Sequence, residues 1–257
     1  MAVTLDHPAQ EARRGRNVPL LVRFGLLAVA NLWLLAAVVY GLFGAEPAAF
    51  WTGGALALGL YLGLNALLLR GLVQHYPHDR LGLCNTVTHF RATLTAGLAA
   101  VVPNAPAVAA DPLLAWTVVA IATIALACDG IDGWAARRSG LSSRFGARFD
   151  MEVDSVLALL LALVVWQTGK LGDWVLLLGL MRYLYLGAMW LLPWLNRPTP
   201  PRFSGKLVCV IQIAVLIALL SPLVTGLWAV GLAGCALALV IWSFGVDIRY
   251  LWRLRSA

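Results

Sequence analysis

Polar and apolar residues are segregated along this chain into long apolar runs separated by short polar breaks. A helix needs roughly 20 residues to cross a hydrocarbon core, and apolar runs of that order lie near 24–43, 49–69, 112–129, 153–169, 174–195, 207–222 and 227–247. An eighth run, near 86–106, is weaker, because Thr86, Thr88, His89, Arg91, Thr93 and Thr95 interrupt it. Trp51, Trp174, Trp194, Trp228 and Trp252 fall near the predicted helix ends, where an indole suits the boundary between lipid and water. The expected fold is all-α: a polytopic membrane bundle of about eight transmembrane helices with both termini on one side.

Composition removes the soluble alternatives. The chain has 257 residues, 61% hydrophobic and 12% charged, with a mean hydropathy of +0.83. Eight crossings put the arginines outside the spans, together with Lys206, on one side and leave only Lys170 opposite. Cytoplasmic loops retain Lys and Arg, so both termini are expected in the cytoplasm, and losing the weak span would scramble this pattern. The net charge of +7 then describes a rim facing anionic lipid headgroups, and no nucleic acid is needed to account for it.

The chain divides into a polar cytoplasmic tail (1–19), two leading transmembrane helices (20–70) and a six-helix unit (83–250). Connections are short: Gly44 to Ala48, Pro103 to Pro112 and Ser221 to Gly226 on one side, with a rigid Arg197 to Lys206 connector on the other, marked by Pro198, Pro200 and Pro201. Cys84, Cys128, Cys209 and Cys235 stand singly and read as small packing residues; neither disulfides nor zinc are expected. His75 and His78 lack further ligands nearby and are not assigned to a metal.

Chemistry concentrates at one string: Asp129, Asp132, Gly133, Ala136 and Arg137, then Gly146, Asp150 and Asp154. Asp129 and Asp132 share one helix face, as do Asp150 and Asp154, and the segment between them is long enough to turn the chain back. Four carboxylates brought together repel strongly where the dielectric is low, so cations must compensate. An all-oxygen set suits Mg²⁺ or Mn²⁺, and two such ions about 4 Å apart would share bridging aspartates. Gly133 and Ala136 leave room for a bulky group such as a nucleotide, and Arg137 lies two turns from Asp129 on roughly the same face, placed to grip phosphate oxygens.

This string matches the pattern D-x-x-D-G-x-x-A-R, eight residues, G-x-x-x-D-x-x-x-D, and so resembles the signature of the CDP-alcohol phosphotransferase family. The resemblance implies an integral membrane enzyme of phospholipid synthesis. In it an alcohol displaces CMP from a CDP-linked donor, normally CDP-diacylglycerol in bacteria. It implies that Asp129, Asp132 and Asp150 hold metal on the donor diphosphate, with Asp154 at a second ion and serving as the general base. It also implies two Mg²⁺ or Mn²⁺ ions per site, a homodimer, and a bacterial-type inner membrane with the active site facing the cytoplasm. Upstream, Asn85, Thr88 and Arg91 are similar to the family's N-x-x-T-x-x-R element; they recur every third residue, and Asn85 and Thr88 are candidates for the nucleotide.

For the acceptor, Arg91, Arg182, Arg202 and Lys206 are candidates, since a basic group opposite an acidic site points to an alcohol that carries phosphate. Glycerol 3-phosphate or another phosphorylated polyol is the leading expectation; phosphatidylglycerol and unphosphorylated alcohols stay open. Arg182 lies within a span and needs a partner, either acceptor phosphate or a site aspartate. Two other classes remain. Aspartate-rich prenyltransferases resemble a pair of distant motifs, whereas here the aspartates fall between 129 and 154. A cation transporter should show repeats or broken helices, and would not need Gly133, Ala136 and Arg137 at these offsets.

Overall fold

A computed structural model describes residues 7–75, 83–139, 144–197, 199–200 and 202–255, with the side chains of 7–19, 75, 83–84, 132–139 and 144–145 outside the description. Among the described residues the elements are helical and no strand occurs. They run α1 (His7–Phe43), α2 (Pro47–His75), α3 (Leu83–Leu98), α4 (Ala105–Ala110), α5 (Pro112–Ser139), α6 (Arg144–Gln167), α7 (Leu176–Leu191), α8 (Phe203–Leu220) and α9 (Gly226–Arg255). Seven segments are long and apolar enough to cross a membrane. α6 is the eighth long helix: its first turns are charged as far as Asp154, and the run from Val156 to Trp166 is apolar. The chain is an integral membrane protein.

Helix ends carry the chemistry their orphan backbone groups require. At the start of α5, Pro112 occupies the first helical position and the Asp111 carboxylate accepts the Leu113 amide at 2.8 Å. At the end of α8, Lys170 Nζ donates to the carbonyls of Leu219 (2.9 Å) and Ser221 (2.7 Å), tying the α6–α7 connection to that terminus. The stretch expected as a loop after the weak span is largely helical. A 3-10 turn at Ala99–Asn104 contains Pro103, which interrupts the α ladder, and leads directly into α4.

α3 and α6 occupy the middle of the bundle. The Asn85–Ala110 segment has the lowest hydropathy of the seven spans and is by far the most buried of them. α6 buries Val153, Leu157, Leu161 and Val165 along one face and packs against α3, α7 and α8. The helices carrying most polar chemistry are thus shielded from lipid by more apolar neighbours, which is how ionisable groups are tolerated at membrane depth. The outer surface shows the converse, with Trp33, Trp51, Trp190, Leu227 and Trp228 exposed as a lipid-facing girdle.

Between helices in lipid, association relies on close backbone packing at small residues. Gly179 of α7 is such a point: a Cβ placed there would lie 2.7 Å from Leu159 Cα and 3.1 Å from the Ala158 carbonyl oxygen. This close approach brings α7 against α6 one turn before Arg182.

Candidate active site

Three aspartates from two helices meet around one guanidinium. Arg91 projects from α3 into the space between α5 and α6 with its side chain 0% exposed. Its Nη1 donates to Asp129 Oδ1 at 2.9 Å, and its Nη2 donates to Asp150 Oδ1 at 2.5 Å and to the Asp150 carbonyl at 3.1 Å. Asp154 Oδ1 stands 3.3 Å from the same Nη2. One ligand oxygen from each of Asp129, Asp150 and Asp154 falls within 4.8 Å of the others. Asp129 is buried, whereas Asp150 and Asp154 are partly open.

The aspartates open onto a cavity of about 730 Å³ bounded by α5, α6, α7, α8, α9 and the connector before α8. The basic residues Arg182, Arg202 and Lys206 line the same cavity. Lys206 comes nearest the aspartates, with Nζ 4.0 Å from Asp129 Oδ2. Arg182 pairs with Glu152 of α6. Arg202 donates to Asp247 of α9 at 2.5 Å and to the Ser243 carbonyl at 3.0 Å. Met151, Ala158, Met181, Val208, Val240 and Phe244 line the same cavity, so apolar side chains share it with the charged ones.

Comparison with known families decides what this arrangement belongs to. A family model described as CDP-alcohol phosphatidyltransferase matches residues 81–242, well over half of the chain, and that stretch contains every aspartate of the cluster. The chain belongs to the CDP-alcohol phosphatidyltransferase family. No curated protein and no solved structure gives a significant match. Membership makes the chain an enzyme that transfers a phosphatidyl group from a CDP-alcohol to an acceptor alcohol within the membrane.

In this CDP-alcohol phosphatidyltransferase the donor set fits a hard divalent cation, the kind the family generally uses. Every side-chain ligand in the cluster is a carboxylate oxygen, the ligand type Mg²⁺ and Mn²⁺ prefer. Three carboxylates outnumber the Arg91 guanidinium and the more distant Lys206 ammonium, so the cluster keeps a net negative charge for a cation to offset. Phosphoryl transfer depends on neutralising phosphate charge, and that is what a bound ion supplies.

The other sequence candidates are placed as follows. Asn85 and Thr88 lie on the first turns of α3, half-buried, below Arg91 on the same helix. Gly146 begins the approach to Asp150 on α6. Asp132, Gly133, Ala136 and Arg137 lie on the last turns of α5, and their side chains are outside the described residues. Arg91, expected among the acceptor residues, lies instead within the aspartate cluster and is absent from the cavity wall that Arg182, Arg202 and Lys206 share. Arg182, expected to bind acceptor phosphate or pair with a site aspartate, pairs with Glu152 rather than with an aspartate of the cluster.

Glu152 and Asp247 are the functional-site residues that sequence reasoning missed. Glu152 lies two positions from both Asp150 and Asp154, which turns it roughly 200° away from each, toward α7. A short connection between α6 and α7 makes these helices antiparallel neighbours, so Arg182 could be expected to meet α6, but not which residue of it. Asp247 carried no comparable signal, because α9 meets the Arg202 connector only through the tertiary fold.

Proposed function

We propose that this enzyme transfers the phosphatidyl group of CDP-diacylglycerol to an alcohol bearing its own phosphate, such as glycerol 3-phosphate, with release of CMP. The observation that carries this reading is the shared cavity: three aspartates and the cations Arg182, Arg202 and Lys206 line one space. The donor diphosphate belongs beside the aspartates, with Mg²⁺ or Mn²⁺ held by Asp129, Asp150 and Asp154 and joined by Asp132. The acceptor phosphate belongs with the cations. Glu152 and Asp247 each occupy only part of a guanidinium that has five N–H donors, so both arginines retain donors for phosphate oxygens.

The chemistry then follows from position. The acceptor hydroxyl oxygen attacks the phosphorus that carries diacylglycerol; an O–P bond forms, and the P–O bond to the CMP phosphate breaks in line with it. Asp154, which lines the cavity, accepts the hydroxyl proton. Arg137, Asn85 and Thr88 act on the nucleotide, and Gly133, Ala136 and Gly146 leave it space. The apolar lining of the cavity suits acyl chains, and the arginine-rich rim supports a cytoplasmic orientation.

Purified protein supplied with radiolabelled CDP-diacylglycerol and Mn²⁺ tests this directly. Glycerol 3-phosphate, inositol phosphate, serine, choline and phosphatidylglycerol are offered in turn. Metal-dependent CMP release with a phosphorylated polyol is expected, together with a raised acceptor KM in Lys206→Ala. Turnover with serine, choline or phosphatidylglycerol alone refutes the acceptor assignment while leaving the donor chemistry standing.

A further inference from the structure

The two leading helices lie outside the matched 81–242 region, yet they are bonded to the helix that carries Arg91. His89 of α3 is buried, enclosed by Phe24 of α1 at 5.7 Å between ring centroids and by Tyr61 of α2 at 6.3 Å, both edge-on. Its Nε2 lies 2.8 Å from Asn65 Oδ1 of α2. The roles in that bond are set by the rest of the network. Asn65 Nδ2 donates to the Tyr61 carbonyl at 2.9 Å, so its amide oxygen faces His89 and Nε2 must carry the proton. Tyr61 Oη in turn donates to the Ala28 carbonyl at 2.5 Å, locking α2 to α1. The other ring nitrogen, Nδ1, is buried with no partner among the described residues, so there the bond to Asn65 is the ring's whole hydrogen-bonding provision.

Two residues along a helix turn it by about 200°. His89 therefore faces the leading helices while Arg91 faces the aspartates, and one short segment is held from both sides. We infer that Asn65 is a positioning residue for the metal cluster: through His89 it fixes the rotation of α3, and so the point at which the Arg91 guanidinium meets Asp129, Asp150 and Asp154. The leading helices are on this view part of the catalytic apparatus. The inference rests on the metal reading of the aspartates. Arg91 reaches those carboxylates at the end of a long side chain, so a small rotation of α3 about its axis is enlarged at Nη1 and Nη2. The carboxylates that a cation must find preoriented then lose their common brace.

The test uses full-length protein in detergent, with Mn²⁺ binding followed by electron paramagnetic resonance alongside kcat and the melting temperature. Asn65→Leu is expected to weaken Mn²⁺ binding about tenfold, the lower end of what loss of an outer-shell partner costs, and to lower kcat with acceptor KM unchanged. Asn65→Asp keeps the acceptor oxygen and is expected to restore Mn²⁺ affinity. If Asn65→Leu does not fold, the double variant Asn65→Leu/His89→Leu removes both polar partners, leaves no orphan, and is expected to fold but bind Mn²⁺ weakly. Wild-type Mn²⁺ affinity in either folded leucine variant overturns the inference, as does an Asn65→Asp protein no tighter than Asn65→Leu. A wild-type protein that binds no Mn²⁺ instead refutes the metal reading, and the inference with it.

Discussion

Replacing Gly179 with alanine adds one methyl group at the tightest point between α6 and α7. That methyl would sit 2.7 Å from Leu159 Cα, 2.9 Å from Ala162 Cβ and 3.1 Å from the Ala158 carbonyl oxygen. Carbon atoms rest about 3.5 Å apart at closest comfortable contact, so the nearest gap falls short by about 0.8 Å. Two of the three neighbours are backbone atoms, which cannot turn aside as a side-chain tip can, so α7 itself must move. Overpacking of this kind costs about 1–3 kcal/mol, and the better helix propensity of alanine returns roughly 1 kcal/mol. The expected net loss is therefore about 0–2 kcal/mol, a modest fall in melting temperature. Function should respond more sharply, because Arg182 lies one turn further along and meets Glu152 across this same contact. The acceptor KM is expected to rise several-fold while the KM for CDP-diacylglycerol stays put, measured by CMP release from purified Gly179→Ala protein. Unchanged acceptor KM in a variant whose melting temperature has fallen would refute the claim that this contact positions Arg182.

Three further outcomes are expected. Asp154→Asn should abolish CMP release while leaving the protein folded and inserted, as judged by its melting temperature and gel-filtration profile; residual activity near the wild-type level contradicts its assignment as base. Arg91→Leu leaves three carboxylates without their shared guanidinium, and in chelator it should destabilise the protein by about 3–5 kcal/mol. Saturating Mn²⁺ should widen that deficit, since a cation binding only the folded state contributes RT ln(1 + [L]/Kd) and binds less tightly where the carboxylates have lost Arg91; thermal unfolding with and without metal measures both. Lys170→Met strands the carbonyls of Leu219 and Ser221 at the end of α8, at about 1–3 kcal/mol. Activity per folded molecule should be unchanged, because Lys170 lies past the other end of α6 from Asp150 and Asp154.

Much of this protein was legible before any coordinates. Span positions follow from apolar run length, and the 129–154 string carries its chemistry in residue type and spacing, so the convergence of Asp129, Asp150 and Asp154 was expected. What escaped was pairing between distant helices. Arg182 read as a charge in search of a partner, and the choice of Glu152 depended on how closely α7 approaches α6 at Gly179. The partner of His89 escaped as well, since Asn65 lies 24 residues away on another helix. Arg91 was grouped with the acceptor cations by charge alone, whereas the packing of α3 against α5 and α6 turns it to the aspartates. Hydropathy also undervalued α3, because a helix enclosed by other helices need not be apolar around its circumference.

The bond between Asn65 and His89 has a consequence for how the chain is made. α3 is a poor candidate for membrane insertion by itself, since it carries a buried arginine whose acidic partners begin 38 residues further on and are not yet synthesised when α3 emerges. Asn65, Tyr61 and Phe24, which enclose His89, all precede it in the chain and are synthesised first. The first hairpin thus offers α3 a polar docking partner at the moment of synthesis and retains it until α5 and α6 arrive to neutralise Arg91. Biogenesis and catalysis draw on the same histidine, so removing the leading helices should show first as a deficit of inserted protein.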